Sequence, residues 1–256
     1  MTKIIAIARQ TFILMRRDKV FLPVVIAGSL IAGFANIASD WSVEDFSKIL
    51  FDVGGFGFVL TGSLVAMFWG TKVVGDARAD GAVEVELATP IGRSSWLIGK
   101  FIGIALALLL LGVLLLAIWQ AIMLLNYFGW MTPSQLRIMS LMIMGWMVTA
   151  ASAVFFSSFA GQTVAVFCTF CAWLAGLAVA LVSGTLTPDT SPFTRSVIET
   201  VSRVWDLQQF NAISLAVSEQ GLLAADFGVR TLYGVILISV LVTGGCMIFA
   251  RKDLIN

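Results

Sequence analysis

Six apolar runs of about twenty residues constrain this chain more than any other feature. They cover roughly 20–38, 54–74, 101–127, 136–157, 163–184 and 230–250. A helix needs about 20 apolar residues to cross a hydrocarbon core of about 30 Å. Inside that core a continuous segment can satisfy its own backbone only as a helix. The expectation is therefore an all-α polytopic membrane protein with six transmembrane helices. Its 256 residues fit one transmembrane domain and leave no room for a separate soluble one. Composition agrees: 59% of residues are hydrophobic and 12% charged, where soluble domains run at about 45–50% and about 25%.

The placement of charge says more than its sum. A net charge of +1 argues against nucleic acid or another polyanion held by bulk electrostatics. With the N-terminus inside, Lys3, Arg9, Arg16, Arg17, Lys19, Lys72, Arg78, Arg93, Lys100, Arg251 and Lys252 fall on the cytoplasmic side. Lys48, Arg137, Arg195, Arg203 and Arg230 fall outside. This bias predicts cytoplasmic termini.

Several chemistries are poorly served. Histidine is absent, which removes the commonest general base and metal ligand. No Asp or Glu lies deep within the six runs, unlike proton- or ion-coupled transporters, where buried carboxylates mark the pathway. Met139, Met142, Met144 and Met147 crowd the fourth run, and Cys168 and Cys171 sit one turn apart in the fifth. Such ligands select Cu(I), but Met and Cys are also ordinary core fillers, and no metal site is expected. The polar groups expected to face protein or water are Gln120, Asn126, Ser157, Ser158 and Gln162.

Two segments outside the runs have amphipathic periodicity. Thr2 and Lys3, Arg9 and Gln10, and Arg16 and Arg17 recur every seven residues, while Ile4, Ile5, Ala8, Phe12 and Met15 fill the opposite side. Residues 1–19 therefore read as an interfacial helix on the cytoplasmic face. They also resemble a signal-peptide n-region, but the following apolar run exceeds the usual length of about 7–15 residues. The external loop, 185–229, opens with Ser191-Pro192, a helix-start signal. Phe193, Val197, Ile198, Val201, Val204 and Trp205 then recur at helical spacing. A surface helix is expected there, followed by a second from Leu207 to Glu219 that ends at Gly221.

The cytoplasmic loop 75–100 concentrates charge: Asp76, Arg78, Asp80, Glu84, Glu86, Arg93 and Lys100. Its Gly92–Lys100 stretch is not a nucleotide loop, because six residues separate the glycines and Phe101 follows the lysine. The phosphate-binding pattern needs four residues there and a Ser or Thr after the Lys. Ala79 to Ala88 can form a short helix that Pro90 ends. Asp80 and Glu84 share one face, with Val83 and Leu87 on another. The residues permit either a docking helix or an ordinary solvated loop.

At this loop the chain resembles the type 2 ABC transporter permease family. Asp80, Gly81, Glu84, Leu87, Pro90, Arg93, Gly99 and Lys100 stand at the matching positions. The likeness extends to the amphipathic start, the six spans, the long fifth-to-sixth loop and the closing FARKDL, and the similar members include the permease of the nitrous oxide reductase maturation complex. Ala82 departs from the Thr often found there. The resemblance implies that the loop is a coupling helix, with Asp80, Gly81, Glu84, Glu86, Leu87, Pro90, Arg93 and Lys100 facing a separate ABC ATPase subunit. It implies two permease chains, identical or different, and two ATPase subunits. ATP and Mg would bind the partner ATPase, and this chain would hold no cofactor and perform no catalysis. The complex would export a substrate or transmit force to an extracytoplasmic partner through 185–229, and a non-ABC membrane scaffold is the alternative outside the family.

Small residues suggest where a second chain would pack. Ala172, Gly176, Ala180 and Gly184 are four apart in the fifth run, and Gly28 with Ala32, and Ser29 with Gly33, make similar rows in the first. The same rows serve equally for packing within one chain.

Overall fold

The computed structural model describes residues 2–40, 46–79, 92–127, 129–184, 192–216 and 221–251. These form eight α-helices, with no strand among the described residues. In chain order they are α1 (Thr2–Arg16), α2 (Phe21–Asp40), α3 (Phe46–Ala79), α4 (Arg93–Leu125), α5 (Pro133–Ser157), α6 (Gln162–Gly184), α7 (Pro192–Val204) and α8 (Ala224–Arg251). Two 3-10 turns, Leu207–Phe210 and Ile213–Ala216, lie between α7 and α8. Six of the helices, α2 to α6 and α8, are long and apolar enough to cross a membrane, so this is an integral membrane protein.

The helices alternate in direction. One end of the bundle, here the basic end, gathers α1, the start of α2, the end of α3, the start of α4 and the end of α8. Several helices exceed the expected spans. α3 and α4, at 34 and 33 residues, reach about 50 Å at 1.5 Å per residue and project beyond a core of about 30 Å. As a result Asp52 falls within α3, near its start, and Arg93 to Lys100 form the first two turns of α4 instead of a loop.

α3 is the centre of the bundle, packing on α2, α4, α5 and α6. Its glycines make this possible. Side chains added at Gly54, Gly57 and Gly62 would collide with Trp119 of α4, Ile31 of α2 and Trp146 of α5. Small residues let neighbouring helices close in where lipid provides no hydrophobic drive between them. Around α3 the large side chains Trp69, Trp96, Trp146, Phe51 and Phe249 are fully enclosed. The outer side of α2, by contrast, presents Leu22, Ile26, Leu30, Phe34 and Ile37, an apolar surface fit for lipid.

Termini and turns are satisfied locally. Thr132 and Gln135 form a reciprocal capping box at the start of α5, which supplies donors the helix leaves unpaired. Gln120 bridges Gly129 O and Met131 N, each at 3.1 Å, and holds the α4–α5 turn. Ser157 and Ser158 are buried and donate to carbonyls one turn back in α5. Asn126 likewise donates to Ile122 O. These four polar groups pack against protein, and Gln162 is exposed at the start of α6.

Candidate functional site

Both ends of the bundle are built around features that the sequence marks only in part. At the basic end, α1 lies against the first turns of α4. Ile7, Ala8, Thr11 and Met15 are the buried positions, spaced for one helix face. They meet Gly99 and Gly103, a small-residue pair four apart. A methyl at Gly103 would sit 2.7 Å from the Ala8 carbonyl oxygen and 2.5 Å from Thr11 Cβ, so the two backbones are in direct contact. The expected face of α1 is shifted: Ile5 is exposed and Ile7 and Thr11 are buried. α1 is docked on the bundle as well as amphipathic.

The turn from α1 into α2 is fixed by charge. Lys72 of α3 donates to Asp18 at 2.7 Å, and the Val20 backbone N–H donates to the other Asp18 oxygen at 3.0 Å. The Asp18 side chain is only 5 % exposed. Burial pushes its carboxyl up, but the Lys72 hydrogen bond, the Val20 N–H and the Lys72 charge outweigh that, and it titrates below the usual carboxylate range. Asp18 and Lys72 belong to a cleft of about 840 Å³ between α1, the α1–α2 turn, the end of α3 and Lys100 of α4.

Arg93 and Lys100, two of the expected coupling residues, sit on α4, and Lys100 lines this cleft. Arg93 donates to the Ala250 carbonyl near the end of α8 at 3.2 Å. Lys100 is buried, with its ammonium 5.1 Å from the Trp96 ring centre. Trp96 in turn stacks on Phe249 of α8, ring centres 5.4 Å apart. The start of α4 is thus clamped by the end of α8. Asp80, Gly81, Glu84, Glu86, Leu87 and Pro90 lie outside the described residues.

At the opposite end the chain departs from the expected pair of surface helices. Residues Trp205 to Ala216 re-enter the bundle as two short 3-10 turns, and no helix runs on from Leu207 to 216. Leu207, Phe210 and Ala212 are buried. Glycines of four different helices form their seat: Ile213 lies against Gly55 of α3, Phe210 against Gly145 of α5 and Gly234 of α8, and Leu207 against Gly176 of α6. Gly145 is twelve residues, about 18 Å, along α5 from its start, so the segment penetrates well past the helix ends. Hydrogen bonds secure it, from Trp205 Nε1 to Ala172 O at 2.7 Å, Tyr233 Oη to Val204 O at 3.0 Å and Arg230 to Gln209 O at 2.9 Å. Below it a cavity of about 20 Å³ is lined by Ser63, Trp146, Thr149 and Asn211 among others. α7, before this segment, leaves Phe193, Val201 and Val204 exposed.

The small-residue rows have intrachain neighbours in this arrangement. Gly176 is occupied by Leu207 and Trp205 of the same chain, and the Ala172 carbonyl by Trp205. Gly28 is filled by Leu115 of α4, and Ala32 is buried. Those four positions have neighbours within the chain. Ala180 and Gly184 lie on α6, where only the backbone is described. The methionines are also core: Met139 and Met142 are buried, and no cluster of three His, Cys, Asp or Glu able to hold a metal occurs among the described residues.

Compared with models of known protein families and with curated proteins, the chain matches none.

Proposed function

We propose that this chain is the permease subunit of an ATP-driven complex of the type 2 ABC class, coupling ATP hydrolysis on a separate ATPase subunit to export or to force transmission across the membrane. The observation that carries the reading is the stretch from the end of α3 into the first turns of α4, in which Asp80, Gly81, Glu84, Leu87, Pro90, Arg93, Gly99 and Lys100 resemble the coupling segment of that family. The surroundings are compatible with it. A partner pressing on this loop would act on α4 directly, and α4 is joined to α8 through Trp96, Phe249, Arg93 and Ala250 and to α1 through Gly99 and Gly103. A push would reach three helices as one body, which suits a rigid-body transition between two packings.

In this reading the basic end is cytoplasmic, as the distribution of Lys and Arg favours, and the membrane is a bacterial inner membrane. Force transmission to an extracytoplasmic protein is a second form of the same proposal. It is favoured by α7, whose Phe193 is 80 % exposed on an amphipathic helix standing beside the re-entrant segment.

The test is affinity purification of tagged chain from native membranes in mild detergent, followed by mass spectrometry and an ATPase assay. Co-purification of a subunit carrying a phosphate-binding loop, in roughly equal amount and with ATPase activity, is expected. Absence of such a subunit would leave the scaffold reading in its place.

A further inference from the structure

The cleft at the basic end has a composition that the coupling proposal does not use. Among the described residues its charged lining includes Arg17, Lys19 and Lys72 against Asp18 and Asp76, with the buried Lys100 beneath. Asp18 is already committed to Lys72 at 2.7 Å. Arg17 and Lys19 are exposed and make no ion pair among the described residues. Thr11, on the wall of the cleft, is 1 % exposed, and its hydroxyl has no hydrogen-bond partner. A buried hydroxyl left unpaired costs about 1–3 kcal/mol, so an acceptor reaching it is favoured.

We propose that this cleft binds the phosphate-bearing headgroup of an anionic phospholipid, with Arg17 and Lys19 as the cationic contacts and Thr11 as a hydroxyl donor. Position selects lipid over a soluble anion or an acidic peptide. α2 begins at Phe21, so the α1–α2 turn stands where the apolar span starts. Leu14 and Val20 line the cleft and are 52 % and 42 % exposed, giving acyl chains an apolar rim beside the charges. Charge selects the headgroup: a zwitterionic one would set its own cation against Arg17 and Lys19, whereas an anionic one pairs with them. The volume, about 840 Å³, admits a whole headgroup together with water. Lys72 remains with Asp18. The proposal is independent of the coupling reading, because it needs neither an ATPase nor a second chain.

The test uses the full chain in neutral detergent, titrated with phosphatidylglycerol, with phosphatidylcholine and with inorganic phosphate while tryptophan fluorescence reports the thermal midpoint. Saturable stabilisation by phosphatidylglycerol alone is expected. Arg17→Gln with Lys19→Gln should weaken it about 30-fold, from the typical contribution of a basic side chain near an anionic surface. Arg195→Gln with Arg203→Gln, at the opposite end, should leave it unchanged. Thr11→Val should lower the response to phosphatidylglycerol while holding or raising the lipid-free midpoint, which a merely structural hydroxyl would not do. An equal response to phosphatidylcholine overturns the proposal, as does an undiminished response in the Arg17/Lys19 variant. A full shift with inorganic phosphate assigns the cleft to a soluble anion and also overturns it. So does acidic protein that co-purifies through Arg17 and Lys19 in place of lipid.

Discussion

The indole N–H of Trp205 donates to the backbone carbonyl of Ala172 across 2.7 Å, tying the end of α7 to the middle of α6. Next to it, a methyl at Gly176 would lie 2.5 Å from Leu207 Cγ and 3.0 Å from Trp205 Nε1. Gly176→Leu therefore cannot be accommodated without moving the re-entrant segment, and overpacking of this kind costs about 1–3 kcal/mol. With the three native cysteines replaced by alanine, Phe210→Cys should resist a membrane-impermeant maleimide and become reactive once Gly176→Leu is added. Equal labelling in both backgrounds would refute the seat.

Trp205→Phe should be milder. It keeps an aromatic ring, though a smaller one, and removes the single hydrogen bond, which alone is a loss of about 1 kcal/mol seen as a drop in thermal midpoint in detergent.

Asp18 and Lys72 make a pH-dependent contribution. The folded carboxyl titrates below its usual value, so its stabilisation is complete above about pH 4 and disappears as pH falls through the lower folded value. The thermal midpoint should fall more between about pH 4 and pH 2 in the native chain than in Asp18→Asn. Lys72→Met, which leaves the carboxylate without its partner, should cost about 1 kcal/mol at neutral pH, discounted because Lys72 is partly exposed. Parallel pH curves for the native chain and Asp18→Asn would remove the ion pair from the account.

The six spans were legible because lipid imposes one requirement on every segment: enough consecutive apolar residues. The re-entrant segment was not, because apolar periodicity does not say whether the apolar side meets lipid or protein. Phe193 to Trp205 was read correctly as a helix, but the continuation through Gln208, Gln209 and Asn211 looked like more of the same and is instead folded inward. The available signal was elsewhere, in Gly145 and Gly234, each an isolated gap in an apolar run, and in Gly55 of the Gly54–Gly57 cluster. Gly99 and Gly103 hid in the same way, since Gly99 was read as part of the loop until α4 proved to begin at Arg93. The small rows of α2 and α6 were recognised as contact surfaces, yet spacing alone does not distinguish an internal neighbour from a second chain.

Docking of α1 should depend on Gly103. Gly103→Leu places a side chain where the Ala8 carbonyl and Thr11 now stand, so α1 should detach while the six spans remain. Limited trypsin digestion at Lys3 and Arg9 should then speed up, with no change in the cleavage pattern at the opposite end. Unchanged digestion would mean that α1 is held by contacts other than the glycine pair.

On the proposed function, Glu84→Lys should weaken recruitment of the ATPase subunit or uncouple its turnover while leaving membrane insertion intact. Pro90→Ala should act less, by letting the short helix run on. Purified complexes with native subunit ratio and native ATPase rate in Glu84→Lys would remove the coupling assignment.

Four helices rest on the same dozen residues at one end of this molecule. Since Ile213, Phe210 and Leu207 contact glycines of α3, α5, α8 and α6, a tilt in any one helix changes the cradle for the others. Such a segment behaves as a keystone: it makes graded, independent motions of those helices costly and leaves concerted ones open. Under the proposed function, a push at the basic end would reach the opposite end as one concerted displacement.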